Sequence, residues 1–200
     1  MKTSDFIKRL DIAYDIYTLK KDWVKLKNKV DPKGPAWRQQ ISLTHSKNFN
    51  NGNIWYQDGG SKRYGNAPDD IINDELKDIS PYLWYVCNDM KSKFSIGRIR
   101  ILVTNPHTAY NIHYDYEVRW HIVITAPRDS FTYFSLNENY VLDKDILNSA
   151  HGFGFHMPAD GFVYEMNAVT LHTGVNCSES IQKIHLLFNA IHKENSYENK

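Results

Sequence analysis

Residues 113–125 read His113-Tyr114-Asp115-Tyr116-Glu117-Val118-Arg119-Trp120-His121-Ile122-Val123-Ile124-Thr125. Trp120, Ile122 and Ile124 alternate with Arg119 and His121, the period of two expected of a strand with one face in a core. The other face then carries a guanidinium and an imidazole. Just upstream, His113 and Asp115 stand two residues apart, so in an extended segment both side chains point to the same side and can reach one ion. Imidazole with carboxylate suits Fe(II). A second histidine from another strand would complete a facial triad with open positions for substrate and dioxygen.

The spacing alone is a weak signal. With nine His and 23 acidic residues in 200, roughly one such His-x-acid pair arises by chance. The chain supplies its own control, because His192-Lys193-Glu194 shows the same spacing in a polar tail.

On either side of this stretch, short β-type runs at 99–103, 118–125, 131–136, 161–166, 170–172 and 181–190 are separated by Asn, Gly, Pro and Asp turns. In the closing run Lys183 and His185 share one face, and Ile184, Leu186 and Phe188 take the other. Two strands thus each turn a cation and an imidazole away from the apolar side. Buried cations need partners, and a dicarboxylate is a good one.

The first part of the chain has a different rhythm. Ile16, Leu19, Trp23, Leu26 and Val30 recur at steps of three and four, which predicts an amphipathic helix ended near Asp31-Pro32. Phe6, Leu10 and Ile12 make a short apolar start, and 41–43 reads as a short strand. Residues 69–93 read as helix interrupted at Ser80-Pro81, with Ile71, Ile72, Leu76, Leu83, Val86 and Met90 toward a core. Between them, 45–68 is rich in Asn and Gly yet carries Trp55, Tyr56 and Tyr64; a loop this long is usually functional, and we expect a lid at the pocket mouth.

Helices first and short strands afterwards predict an α+β, mainly β chain whose strands close as a jelly roll or barrel, with the N-terminal helices packed on it. We expect one domain over 1–200: a helical part and long loop at 1–93, a β core at 94–192 and a tail at 193–200.

Thirteen Tyr, nine Phe and five Trp suit strands and a walled pocket. A formal charge of +1 gives no field that argues for nucleic acid or a membrane surface. Cys87 and Cys177, ninety residues apart, make no disulfide framework. With no signal peptide at the start and no run long enough to span a membrane, a cytoplasmic location is expected.

Taken in order, Gly97-Arg98-Ile99-Arg100, Asn105-Pro106-His107-Thr108, His113-Tyr114-Asp115, Arg119-Trp120-His121, His172 and Lys183-Ile184-His185-Leu186 resemble the aspartyl/asparaginyl β-hydroxylase family of 2-oxoglutarate oxygenases. The similarity spans residues 94–190. It implies a cupin-like double-stranded β-helix and oxidative hydroxylation coupled to decarboxylation of 2-oxoglutarate, with Fe(II) and O₂ as further requirements. On that reading His113, Asp115 and His172 hold the metal. Lys183, eleven residues after His172, meets the far carboxylate of the cosubstrate. Arg119 and His121 contact its near carboxylate or chelating oxygens, with His185 a further cosubstrate-binding residue. Asn167 and Asn176 flank His172 as candidates to orient it. The substrate implied is an amino-acid side chain, free or within a peptide.

Two departures from the family stand out. Lys183 occupies a position where the family usually has Arg, so the bidentate fork is lost. Asp115 supplies an acidic ligand that the best-known members lack. Two other classes compete with this reading. A cupin-type metalloprotein that does not use 2-oxoglutarate would not need Lys183 and Arg119 turned inward. A non-catalytic β-sandwich binding module would need no metal.

Overall fold

A computed structural model describes residues 3–33, 39–47, 53–56, 71–115, 117–135 and 152–190. The strand runs seen in the sequence form two facing antiparallel sheets. The elements, in chain order, are β1 (Ile7–Ala13), α1 (Ile16–Lys29), β2 (Gln39–Ser42), β3 (Thr44–His45), β4 (Ile71–Ile72), α2 (Glu75–Ile79), α3 (Pro81–Lys93), β5 (Ile96–Thr104), β6 (Thr108–Ala109), β7 (Arg119–Thr125), β8 (Ser130–Ser135), β9 (Gly152–Phe155), β10 (Phe162–Met166), β11 (His172–Asn176) and β12 (Lys183–Ala190). The larger sheet has the order β1-β10-β7-β12-β5-β2 and the smaller β6-β11-β8-β9; β3 and β4 form a separate pair.

From β5 to β12 the chain changes sheet at every connection except that between β8 and β9. Four strands thereby fall in each sheet, the jelly-roll alternation expected of a double-stranded β-helix. Alternation along three adjacent strands of the larger sheet then divides its faces. Ile99, Ile101 and Val103 of β5, Trp120, Ile122 and Ile124 of β7, and Ile184, Leu186 and Phe188 of β12 join one core with Leu19, Trp23 and Leu26 of α1 and Leu83, Val86 and Met90 of α3. The intervening residues face the smaller sheet, and there the cavity lies.

The helices are tied to each other by one buried carboxylate. Asp22 of α1 accepts from the backbone N–H groups of Tyr82 and Leu83 at 2.8 and 3.0 Å, satisfying two donors that the first turn of α3 leaves without helical partners. Pro81 opens that helix, where its missing N–H costs nothing. At the start of α1, Asp15 accepts from Tyr17 and Thr18, an N-cap. Among the described residues no helix is long and apolar enough to cross a membrane.

Some expectations need correction. Ile71 and Ile72 are not helical but pair with His45 and Thr44. The helix begins only after Asn73, whose side chain accepts from the N–H of Glu75 at 3.0 Å; two β-branched residues before an Asn-Asp pair favour strand and then turn. The strand expected at 170–172 starts at His172 and runs on to Asn176. The apolar start is an edge strand, β1, paired with β10; Lys8, Arg9 and Asp11 blur its alternation. β9 was not expected, since Gly152 and Gly154 dilute the pattern. A Cβ at Gly152 would come within 2.5 Å of the Phe134 carbonyl oxygen, so the close strand approach requires glycine.

Trp55 is buried in the helix–sheet core, with Tyr56 packed against it, so these two rings are core packing rather than a lid. Tyr64 and the tail at 193–200 lie outside the described residues.

Candidate metal centre

The segment between β6 and β7 is drawn onto the start of β11 by its backbone. His113 donates its N–H to the His172 carbonyl at 3.0 Å and accepts from the His172 N–H at 2.8 Å, while Asp115 N–H donates to the Ala168 carbonyl at 2.7 Å. Residues two apart on an extended segment then aim at one point, as their spacing predicts. His113, Asp115 and His172 each bring one ligand atom, and these atoms all lie within 4.8 Å of one another.

The donors are prepared as well as gathered. His113 Nδ1 lies 2.8 Å from the Asn111 carbonyl and His172 Nδ1 2.8 Å from the Thr170 carbonyl. A carbonyl oxygen only accepts, so each Nδ1 carries the proton and each Nε2 keeps its lone pair. Asp115 Oδ2 lies 3.8 Å from His113 Nε2 and 3.5 Å from His172 Nε2, and it is buried without a hydrogen-bond partner. Burial above all pushes the His172 imidazole down to about 4, so it stays neutral at pH 7. A buried carboxylate oxygen facing two imidazole lone pairs is repulsive until a cation joins them. The donor set fits a divalent ion, iron included. The other carboxylate oxygen, Oδ1, is taken by Arg119, whose Nη2 donates to it.

Beside these residues a cavity of about 250 Å³ opens between the sheets. Arg100, Leu102 and Thr104 line it from β5, Lys183, His185 and Leu187 from β12, and Arg119 and His121 from β7. The sequence-predicted residues His113, His172, Arg119, His121, Lys183 and His185 therefore meet at one space. Lys183 is 5% exposed; its ammonium donates to the Phe131 carbonyl at 2.9 Å, and burial pushes it down to about 7. His185 and His121 approach through their Nδ1 atoms at 3.1 Å. Burial, then the neighbouring cations (Arg119 for His121, Lys183 for His185), holds both imidazoles well below their ordinary range.

Sequence reasoning missed Arg100, Thr104, Tyr110 and Thr132 as cavity residues. Arg100 was legible, since it alternates with Ile99 and Ile101 as Arg119 does with Trp120. Tyr110 follows β6 outside any periodic run, and its hydroxyl oxygen accepts from Thr104 Oγ1 at 2.9 Å. Asn167 and Asn176 do not orient His172. Asn176 instead donates to the carbonyls of Thr104 and Ile181 at 3.0 and 2.9 Å, bracing the turn into β12, and Asn167 bonds to the backbone of Asp5 and Phe6. The Thr170 carbonyl orients His172.

No family model and no curated protein matches the chain. Among solved structures, HygX from Streptomyces hygroscopicus with nickel and 2-oxoglutarate bound is similar at a TM-score of 0.57 and 9% identity, over 92% of this chain and 81% of that one. An oxidoreductase of the 2OG-Fe(II) oxygenase family from Burkholderia pseudomallei is similar at a TM-score of 0.57 and 11% identity, over 94% of this chain and 84% of that one. The likeness is one of fold: this chain is a double-stranded β-helix of the architecture those two structures share.

Proposed function

We propose that the chain is an Fe(II)- and 2-oxoglutarate-dependent oxygenase that hydroxylates an amino-acid side chain, free or within a peptide, in the manner of the aspartyl/asparaginyl β-hydroxylases. One observation carries the reading: two of the three converging donors, His113 and His172, line the same cavity as a buried ammonium, and no carboxylate is among the described residues that line it. Such a wall suits a dianion that also grips a metal.

The spacing agrees. Lys183 meets the carbonyl of Phe131, whereas His172 pairs with Phe134, three residues further along β8. At strand rise this is about 10 Å, a span that a five-carbon dicarboxylate covers once a metal–oxygen bond and an ion pair are added at its ends. In this reading His113, Asp115 and His172 hold Fe(II), and Lys183 neutralises the far carboxylate. Thr104 lies opposite Lys183 across the strands, so the Thr104–Tyr110 hydroxyl pair borders that end. His121 and His185 line the wall between. When bound, iron supplies the redox chemistry, coupling reduction of O₂ and decarboxylation of 2-oxoglutarate to insertion of one oxygen atom into a C–H bond, with succinate and CO₂ as co-products. The chain's own part is to bind, orient and exclude water.

The fold of the two solved structures, one with nickel and 2-oxoglutarate bound and one of the 2OG-Fe(II) oxygenase family, is compatible with this reading, and the likeness of the residue series at 94–190 to the hydroxylase family supports its finer part. Cys87 and Cys177 are both free, which suits the reducing cytoplasm where we place the protein. We propose a small-molecule or peptide partner rather than nucleic acid or membrane. The test is an aerobic incubation with Fe(II) and 2-oxoglutarate against pools of free amino acids and peptides. Succinate release accompanied by a product heavier by one oxygen supports the assignment; neither succinate nor oxygenated product from any pool overturns it.

A further inference from the structure

Each residue of the candidate centre has a second contact that fixes its orientation. For the imidazoles these are the Asn111 and Thr170 carbonyls; for Asp115 it is Arg119. The carboxylate presents a problem that the imidazoles do not, since it has two equivalent oxygens and can offer either or both to a cation. Arg119 opens β7, held in register between Met166 of β10 and Asn189 of β12. Its side chain and that of Asp115 are 14% and 16% exposed, so the pair is largely shielded from water and firmly placed. With Oδ1 engaged by the guanidinium, only Oδ2 faces the two histidine nitrogens.

We propose that Arg119 is a positioning residue that restricts Asp115 to one ligating oxygen. The inference rests on the metal-centre reading above and moves Arg119 from the cosubstrate's near carboxylate to the metal's own ligand. A carboxylate gripping with both oxygens would take up a further coordination position, one that a chelating keto acid or dioxygen needs. Arg119 therefore guards the open side of the centre through Asp115. Partners of this kind orient metal ligands generally, and their loss typically weakens metal binding.

The test uses the full chain and Co(II) alone, before any 2-oxoglutarate is added, in wild type, Arg119→Gln and Arg119→Lys. We expect Arg119→Gln to bind Co(II) roughly ten- to a hundredfold more weakly and to show an altered visible absorption spectrum. Lys retains a single donor for Oδ1, so Arg119→Lys should restore most of the wild-type spectrum and affinity. Cobalt affinity and spectrum unchanged in Arg119→Gln, with only 2-oxoglutarate binding weakened, would show that Arg119 contacts the cosubstrate and overturn the proposal. Should the Gln variant fail to fold, the Lys variant decides. A small cobalt shift with normal 2-oxoglutarate affinity supports the proposal, and the reverse pattern overturns it. A wild-type chain that takes up no cobalt refutes the metal centre itself, a result distinct from either.

Discussion

His121 and His185 meet through their Nδ1 atoms at 3.1 Å, with both rings buried and nearly perpendicular at 87°. One must donate and the other accept, so the pair holds one proton between its Nδ1 atoms. The two buried Nε2 atoms, which lack hydrogen-bond partners, are then one N–H and one lone pair. Long-range proton–nitrogen correlation on histidine-labelled protein should find one Nδ1–H and one Nε2–H tautomer at pH 7. Two identical tautomers would contradict the arrangement.

The same pair should make stability depend on pH. Both imidazoles lie well below their ordinary 6.5, so below that pH the unfolded chain takes up protons that the folded chain refuses. Their contribution is present above about pH 6.5 and lost as pH falls, at about 1.4 kcal/mol per pH unit for each such proton. Denaturant melts at pH 7.5 and 5.5 should show this loss. Replacing both with Phe should reduce the dependence to the share left by His172, whose imidazole burial also pushes down; an unchanged slope in that double variant would assign the loss to other groups.

Lys183 should trade stability for binding. Its ammonium is desolvated by burial and pushed down to about 7, so the unfolded chain binds the extra proton between about pH 7 and the ordinary 10.5. The burden is greatest below pH 7 and fades as pH rises to 10.5. Lys183→Met should therefore melt at higher temperature than wild type at pH 7 when no ligand is present. Losing one charge-assisted hydrogen bond costs about 1.5–3 kcal/mol, roughly ten- to more than a hundredfold in 2-oxoglutarate affinity, in Lys183→Ala. Lys183→Arg should retain substantial affinity. Calorimetric titration of the three variants checks this, and an unchanged affinity in Lys183→Ala would place the far carboxylate elsewhere.

Asp22 offers a control remote from the cavity. Its carboxylate accepts from Tyr82 and Leu83 N–H and pairs with Lys25. Asp22→Ala leaves two helix-terminal donors unsatisfied and should cost about 1–3 kcal/mol in denaturant unfolding. Metal and 2-oxoglutarate binding below the transition should not change; a parallel loss of both would mean that the helices shape the site.

The legible part of this protein is the part governed by alternation. The apolar rows of β7 and β12 announced the core, and by exclusion they placed Arg119, His121, Lys183 and His185 on the cavity side. Alternation says which face a residue takes, not which neighbour it meets there. The Arg119–Asp115 pairing depends on how the segment before β7 folds back onto β11, and the His121–His185 contact depends on two strands that are distant in sequence becoming adjacent. Tyr110 and Thr132 carried no periodic signal toward the cavity. β1 and β9 escaped notice because charges in one and glycines in the other obscure the pattern.

The proposed activity requires that His113, Asp115 and His172 share one cation beside a cavity that takes 2-oxoglutarate. The most direct test is anaerobic titration of the purified chain with Fe(II) and then 2-oxoglutarate, in wild type and His172→Ala, with circular dichroism to monitor the fold. Wild type should bind iron stoichiometrically and then the cosubstrate, whereas a folded His172→Ala should lose tight iron binding and with it iron-dependent 2-oxoglutarate binding. Full iron stoichiometry and unchanged cosubstrate affinity in the folded variant would rule out His172 as a metal ligand and with it the proposed centre.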